Sequence, residues 1–263
     1  MEKIHLNSNL QCIGKQIYQF DSVTSTNDIL LKLIQESKTS DQNRIPEGTI
    51  VLAEEQTAGR GRFNRTWQSP KGKGLWLSIY LAPRFLELPK AFLVTFCAAT
   101  AVAQVVKDLF QLSPQIKWPN DVLLKGSKFC GILTDTKSEK NLLAQAILGI
   151  GINVNQNQDE FNEEAGVNAT SLRIEHGEDI DRMKLLQRII EKLDANYTLL
   201  KLKKFKDMLE DWKKFATFLG QSVTLIDGRM KKVGIATDID ENGGLILNCN
   251  GKEQIFYNGS LVL

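Results

Sequence analysis

Ala58-Gly59-Arg60-Gly61-Arg62-Phe63-Asn64-Arg65-Thr66-Trp67 lies between the strand-like run Thr49–Glu54 and the turn Ser69-Pro70-Lys71-Gly72-Lys73-Gly74. Gly59 and Gly61 let the backbone take positive φ or approach a ligand closely, because no Cβ intervenes. Arg60, Arg62 and Arg65 put permanent, fork-shaped cations on one short loop, a geometry that matches carboxylate and phosphate. Trp67 adds a flat face on which a ring can stack. The stretch reads as a loop that closes over a small anionic ligand. The plain alternative is a surface turn with solvated arginines, and the rest of the chain decides between them.

The 263 residues suffice for one moderate domain and a small second one. Hydrophobic content of 42% and charged content of 24% are those of a globular protein. A net charge of +2 argues against a life on nucleic-acid phosphate, so no DNA binding is expected. There is no run of about 18 apolar residues, and MEKIHLNSNL has no apolar signal core, so neither membrane span nor signal peptide is expected. Cys12, Cys97, Cys130 and Cys249 are far apart and read as free thiols of a reducing cytoplasm. With only His5 and His176 to help, a zinc site has little support.

In order along the chain, IYQF leads into Ser25-Thr26-Asn27 and an amphipathic helix, DILLKLIQES, with Ile29, Leu30, Leu33 and Ile34 at helical spacing. Ser25 or Thr24 is its expected N-cap, and the free N–H groups there could hold a polar ligand head. Lys38–Gly48 is a loop; Thr49–Glu54 is a strand delivering Gln56; LWLSIYLA alternates as a strand; Lys90–Phe110 is a buried helix. Gln115–Lys117 is a short strand before the turn Trp118-Pro119-Asn120-Asp121. Val122–Leu124 and Phe129–Leu133 are hairpin arms joined through Lys125-Gly126-Ser127-Lys128. LLAQAILGIGINVN is a strand whose Gly149 and Gly151 admit a close neighbour. Val167–Leu172 is a loop, and Arg182–Leu202 and Phe205–Phe215 are helices whose Lys201, Lys203, Lys204 and Lys206 form a solvated face. From Gly220 onward, closely spaced short strands predict a small barrel-like domain. The class is α+β.

Gln56, Arg60, Arg62, Arg65, Lys117, Asn120, Asp121 and Lys128 are the polar groups that strands and turns deliver. No Ser/His/Asp arrangement and no Walker-type loop occurs. Cations, a carboxylate able to bind Mg²⁺ (Asp121) and stacking tryptophans fit the joining of an anionic small molecule to a nucleotide phosphate.

GRGRFNRTW (59–67), KWPNDVLLKGSKFCGIL (117–133) and GIGINVN (149–155), in this order and preceded by Ser25-Thr26-Asn27, resemble the catalytic core of the biotin–protein ligases. The resemblance covers roughly residues 20 to 175, and the lipoate ligases' His-containing motif is not found. It implies a class II synthetase-like mixed-sheet domain over 1–217 and an SH3-like barrel over 218–263. It further implies that ATP and biotin give biotinyl-5′-AMP, from which a lysine of a biotin carboxyl carrier protein takes the biotinyl group. Asp121 is the candidate Mg²⁺ ligand, with a plain Asn-Asp turn after Pro119 as its alternative. By the same similarity Lys128 and Arg62 are catalytic, and Ser25, Thr26, Asn27, Gln56, Arg60, Gly61, Arg62, Lys128 and Gly131 hold biotin. Arg62, Arg65, Trp67, Lys117, Asn120 and Asn153 hold ATP and the adenylate. Phe63-Asn64 stands where some members have a basic residue and glycine. Many bacterial members carry an N-terminal winged helix that represses transcription; with Ser25 so early, a ligase without it is expected. A homodimer through strand edges, a lipoate ligase on the same fold and a non-catalytic biotin-binding protein are further expectations to test.

Overall fold

The computed structural model describes residues 2–6, 9–37, 44–161 and 168–263. Part of the Lys38–Gly48 loop and Val167 lie outside the described residues. A large sheet is built from β1 (Glu2–Ile4), β2 (Ile17–Val23), β3 (Ile50–Gln56), β4 (Gly74–Leu81), β5 (Pro114–Lys117), β6 (Asp121–Leu124), β7 (Ser127–Glu139) and β8 (Leu142–Asn153), in the order β1-β2-β3-β4-β8-β7-β6-β5. Among the described strands only β2 and β3 pair in parallel. A parallel pair needs a crossover, and α1 (Thr26–Ser37) supplies it.

The core lies against α2 (Phe92–Phe110). Leu88–Phe110 is long and apolar enough to cross a membrane by length and composition, yet 72% of its most apolar window is buried inside the protein. After α3 (Leu172–His176), α4 (Arg182–Lys201) and α5 (Phe205–Lys213) pack on α2, where Phe96 stacks on Trp212 at 4.3 Å. The second sheet is antiparallel, ordered β12 (Lys252–Phe256), β11 (Leu245–Cys249), β10 (Met230–Ile239), β9 (Ser222–Asp227), β13 (Ser260–Val262). Among the described residues no pair joins β12 to β13. This sheet is fastened to the rest by Trp118 Nε1, which donates to Gly243 O at 2.9 Å, and by the Lys213–Asp238 ion pair at 2.7 Å.

Two expectations need correction. The β6–β7 turn is only Lys125-Gly126, both at positive φ (48° and 80°), as a two-residue hairpin requires. Ser127 and Lys128 therefore belong to the strand. Also, β7 runs on to Glu139, far past Leu133; its outer half, TDTKSE, is polar on both faces, so no alternation marks it in the sequence. Within the connection after Thr170, Ser171 caps α3 by accepting from Ile174 N at 3.2 Å.

Candidate functional site

Alternation along β8 puts Gly149, Gly151 and Asn153 on one face, with Gly131 of β7 opposite Gly151. A Cβ at Gly149 would lie 2.5 Å from Asn27 Oδ1, and one at Gly151 2.4 Å from Trp67 Nε1. At Gly131 it would lie 2.8 Å from Trp67 Cζ3. The glycines are a floor on which the start of α1 and the loop tryptophan rest.

Ser25, Thr26 and Asn27 are buried polar residues at the start of α1. Ile29 N–H bonds Ser25 O at 3.0 Å, which makes Ser25 the cap position. The Thr26 N–H and hydroxyl both donate to Gln56 Oε1 (2.8 and 3.1 Å), and Gln56 Nε2 donates to Ser69 Oγ at 2.8 Å. Gln56, from β3, thus ties the helix start to the segment after the arginine loop. Ser78 Oγ lies between Thr26 Oγ1, at 2.7 Å, and Asn27 Oδ1. Asn27 Nδ2 donates to Asp135 Oδ2 at 3.0 Å.

The arginine loop closes on itself. Trp67 N–H bonds Gly59 O at 2.9 Å and Gly61 N–H bonds Arg65 O at 2.7 Å. Between them Phe63 (φ 57°) and Asn64 (φ 59°) are left-handed, a region asparagine tolerates and a bulky aromatic rarely enters. Arg60 turns to the outer rim, pairing with Asp28 (2.8 Å) and Asp135 (3.3 Å). Arg62 turns inward, donating to Asn120 Oδ1 at 2.9 Å with its guanidinium 4.8 Å from the Phe63 ring. Burial lowers its pKa, against the attraction of Asp121, but arginine stays charged throughout. Asn120 is itself held by Nδ2 to Ile132 O at 2.8 Å.

Lys128 owes its direction to a bulge. Leu123 faces Lys128 and Val122 faces Cys130, so Phe129 is the extra residue. Lys128 and Gly131 consequently share a face; a Cβ on Gly131 would lie 3.1 Å from Lys128 Nζ. Where β8 ends, the segment 168–170 takes over the pairing: Lys128 N donates to Asn168 O at 2.7 Å and Thr170 N to Lys128 O at 3.0 Å. Lys128 Nζ lies 2.6 Å from Asp121 Oδ1 and 5.1 Å from the centre of the Trp67 ring. The Asp121 contact is an ion pair without hydrogen-bond alignment.

One cleft brings together Ser25, Thr26, Asn27, Gln56, Arg60, Gly61, Arg62, Arg65, Trp67, Asn120, Asp121, Lys128, Gly131 and Asn153. Lys117 is not among its lining residues: at the end of edge strand β5 it pairs with Asp121 along the backbone. Ser78, Asp135, Gln156, Phe161 and Ser260 escaped the sequence reading. Only Ser78 left a signal, as the one serine in the apolar run LWLSIYLA. For Mg²⁺ the donor set is poor. Asp121 is engaged by Lys128, Asn120 Oδ1 by Arg62, and no cluster of three His, Cys, Asp or Glu exists among the described residues. The protein alone does not build a Mg²⁺ cage, and oxygen ligands from a nucleotide would have to complete one.

Fold and cleft define an α+β protein that holds an anionic small molecule on a glycine floor beneath inward-turned cations. The profile described as "Biotin/lipoate A/B protein ligase family" matches residues 19–153, and "Biotin protein ligase C terminal domain" matches 218–263. The bifunctional ligase/repressor BirA of Bacillus subtilis (strain 168) is 34% identical over 261 residues, 99% of this chain and 78% of that protein. The biotin–[acetyl-CoA-carboxylase] ligase of Mycobacterium tuberculosis is 30% identical over 223 residues, 82% of this chain and 79% of that one. A biotin protein ligase from Aquifex aeolicus, solved in complex with biotin and ATP, superposes with TM-score 0.78 at 29% identity, covering 94% of this chain and 97% of that one. The chain belongs to the biotin/lipoate A/B protein ligase family.

Proposed function

We propose that the chain is an ATP-dependent biotin–protein ligase, with residues 1–217 as catalytic domain and 218–263 as a small β domain. The observation that carries the reading is the pair Lys128 and Arg62, two cations turned into one polar cleft, by the bulge in β7 and by Asn120. Two anions must meet there: a biotin carboxylate oxygen bonds to the α-phosphorus of ATP, the bond to the bridging β-phosphate oxygen breaks, and pyrophosphate leaves. A cation between carboxylate and phosphate lowers that barrier, and Lys128 is the residue we assign to it. Ser25, Thr26, Asn27 and Gln56 hold biotin at the α1 end; Trp67, Arg65 and Asn153 hold the nucleotide, which brings Mg²⁺ on its phosphates. In the second step the ε-amine of an acceptor lysine bonds to the biotinyl carbonyl carbon. The bond to the AMP oxygen breaks and the amine proton passes to solvent. The acceptor is the biotin carboxyl carrier domain of a carboxylase. Because the mixed anhydride hydrolyses, the arginine loop must keep water out until the acceptor arrives.

Biotin-dependent exchange of labelled pyrophosphate into ATP tests the first step without any acceptor. Exchange that requires biotin is expected. Exchange with lipoate in its place would retain the fold and move the substrate, and silence with every acid would leave a binding protein.

A further inference from the structure

One buried side chain in the cleft has an unused acceptor, at the end remote from Ser25–Asn27. Gln156 is 2% exposed and lines the cleft. Its amide is oriented by a chain that starts at a backbone carbonyl. Thr170 O can only accept, and it accepts from Asn153 Nδ2 at 3.1 Å. Asn153 therefore offers Oδ1 to Gln156, which answers with Nε2 at 3.1 Å. Gln156 Oε1 is left over, buried and without a hydrogen-bond partner among the described residues. Ser171 Oγ holds the backbone beneath it, donating to Gln156 O at 2.7 Å. Buried acceptors are nearly always satisfied, so one left open in a cleft calls for a donor on the ligand.

The floor decides which part of the ligand that is. Asn27 rests on Gly149 and Trp67 on Gly151, and Asn153 follows on the same face of β8. The four residue steps from Gly149 to Asn153 span about 13 Å of strand. With the acid at the α1 end, as in the reading above on which this inference rests, the far end receives the base. We propose that Gln156 Oε1 accepts a hydrogen bond from the exocyclic amine of the base, so that Gln156 selects a 6-aminopurine over a 6-oxopurine. A 6-oxo group would set one lone pair against another.

The test uses four nucleotides: ATP, purine riboside triphosphate (no amine), inosine triphosphate (6-oxo) and 2′-deoxyATP. Biotin-dependent exchange and direct nucleotide binding, by tryptophan fluorescence, are measured on the unsubstituted protein and on Gln156→Met. The unsubstituted protein should favour ATP over purine riboside triphosphate by about tenfold, and over inosine triphosphate by about a hundredfold, in kcat/KM and in binding. In Gln156→Met, ATP should fall until it is within about threefold of purine riboside triphosphate, with KM for biotin unchanged. Equal use of ATP and purine riboside triphosphate by the unsubstituted protein would overturn the proposal without any variant. So would one common loss for all four nucleotides in Gln156→Met, or a preference that tracks the 2′-hydroxyl. No exchange with biotin, alongside nucleotide binding that still discriminates the amine, would instead strike the ligase reading and leave Gln156 its role.

Discussion

Lys128 and Arg62 carry like charges into one cleft and are held by different means. Lys128 has both backbone groups bonded to the 168–170 segment and its ammonium beside Asp121; Arg62 hangs on a loop through its bond to Asn120. A cation placed by a strand suits the bond-forming step, and one placed by a loop suits retention of the product. Lys128→Ala is expected to lower biotin-dependent pyrophosphate exchange by about 10²–10³-fold. Because the substitution also strands Asp121, the double variant with Asp121→Asn is the control: recovery of exchange there would show that Lys128 served only to neutralise Asp121. Arg62→Ala should keep exchange within about tenfold yet release biotinyl-AMP faster, seen as a shorter lifetime of bound adenylate in a filter assay. An unchanged lifetime would remove Arg62 from the retention role. At this scale Arg62 was legible as a cation beside glycines, whereas Lys128, which the sequence placed within the turn, was singled out only by the resemblance to the ligase motif. Asp135 and Gln156 were not legible, and Ser78 only as a serine in an apolar run. Ser78 and Asp135 meet their partner Asn27 far along the chain, and Gln156, though close to Asn153, is oriented through Asn153's bond to the distant Thr170. Lys117 shows the converse, a cation in a telling motif that the edge of the sheet keeps out of the cleft.

The element that shapes the cleft is β8, by lacking side chains at alternate positions. Gly151→Ala would put a methyl 2.4 Å from Trp67 Nε1, so the indole must leave the floor. Trp67 belongs to the loop and not to the core, and alanine stabilises an extended backbone relative to glycine by about 0.5–1 kcal/mol. The expected outcome is therefore a melting temperature within a few degrees of the unsubstituted protein and a KM for ATP raised about tenfold, with altered tryptophan fluorescence. A large fall in melting temperature with unchanged KM would mean that the glycine serves folding and not the nucleotide. The GIGIN pattern foretold this element because two glycines in an apolar strand imply a close neighbour, here Asn27 and Trp67. The outer half of β7 was not foretold, whereas β8 was read over its whole length. The length of β7 comes from pairing with β8 through the turn Lys140-Asn141, both at positive φ, and its polar outer half carries no hydrophobic alternation.

At the scale of the whole molecule, α2 behaves as composition suggested, an apolar helix that a globular fold buries. Burial also raises the Cys97 and Cys130 thiols well above their usual range, so neither is a ready thiolate. What composition could not show is how distant segments are fastened, and Glu47, just before β3, is the clearest fastening. Its carboxylate accepts from Tyr197 OH of α4 (2.6 Å) and from Ala82 N–H after β4 (3.0 Å), with Lys201 3.5 Å away. Burial pushes its pKa up, but these hydrogen bonds and the lysine outweigh burial and hold it below the ordinary 4.5. A carboxyl with a depressed folded-state pKa binds protons less readily folded than unfolded. Its contribution to stability is therefore complete above the unfolded value and disappears as pH falls through the folded one. Glu47→Gln can still accept from Tyr197 and Ala82 but has no charge to lose. It should be less stable than the unsubstituted protein near neutrality, by about 1 kcal/mol, and the difference should close as pH falls below about 4.5. Melting temperatures of both proteins across that range decide the matter. Parallel curves would mean that Glu47 fastens α4 by shape alone, and curves that converge in acid would show that its charge does the fastening.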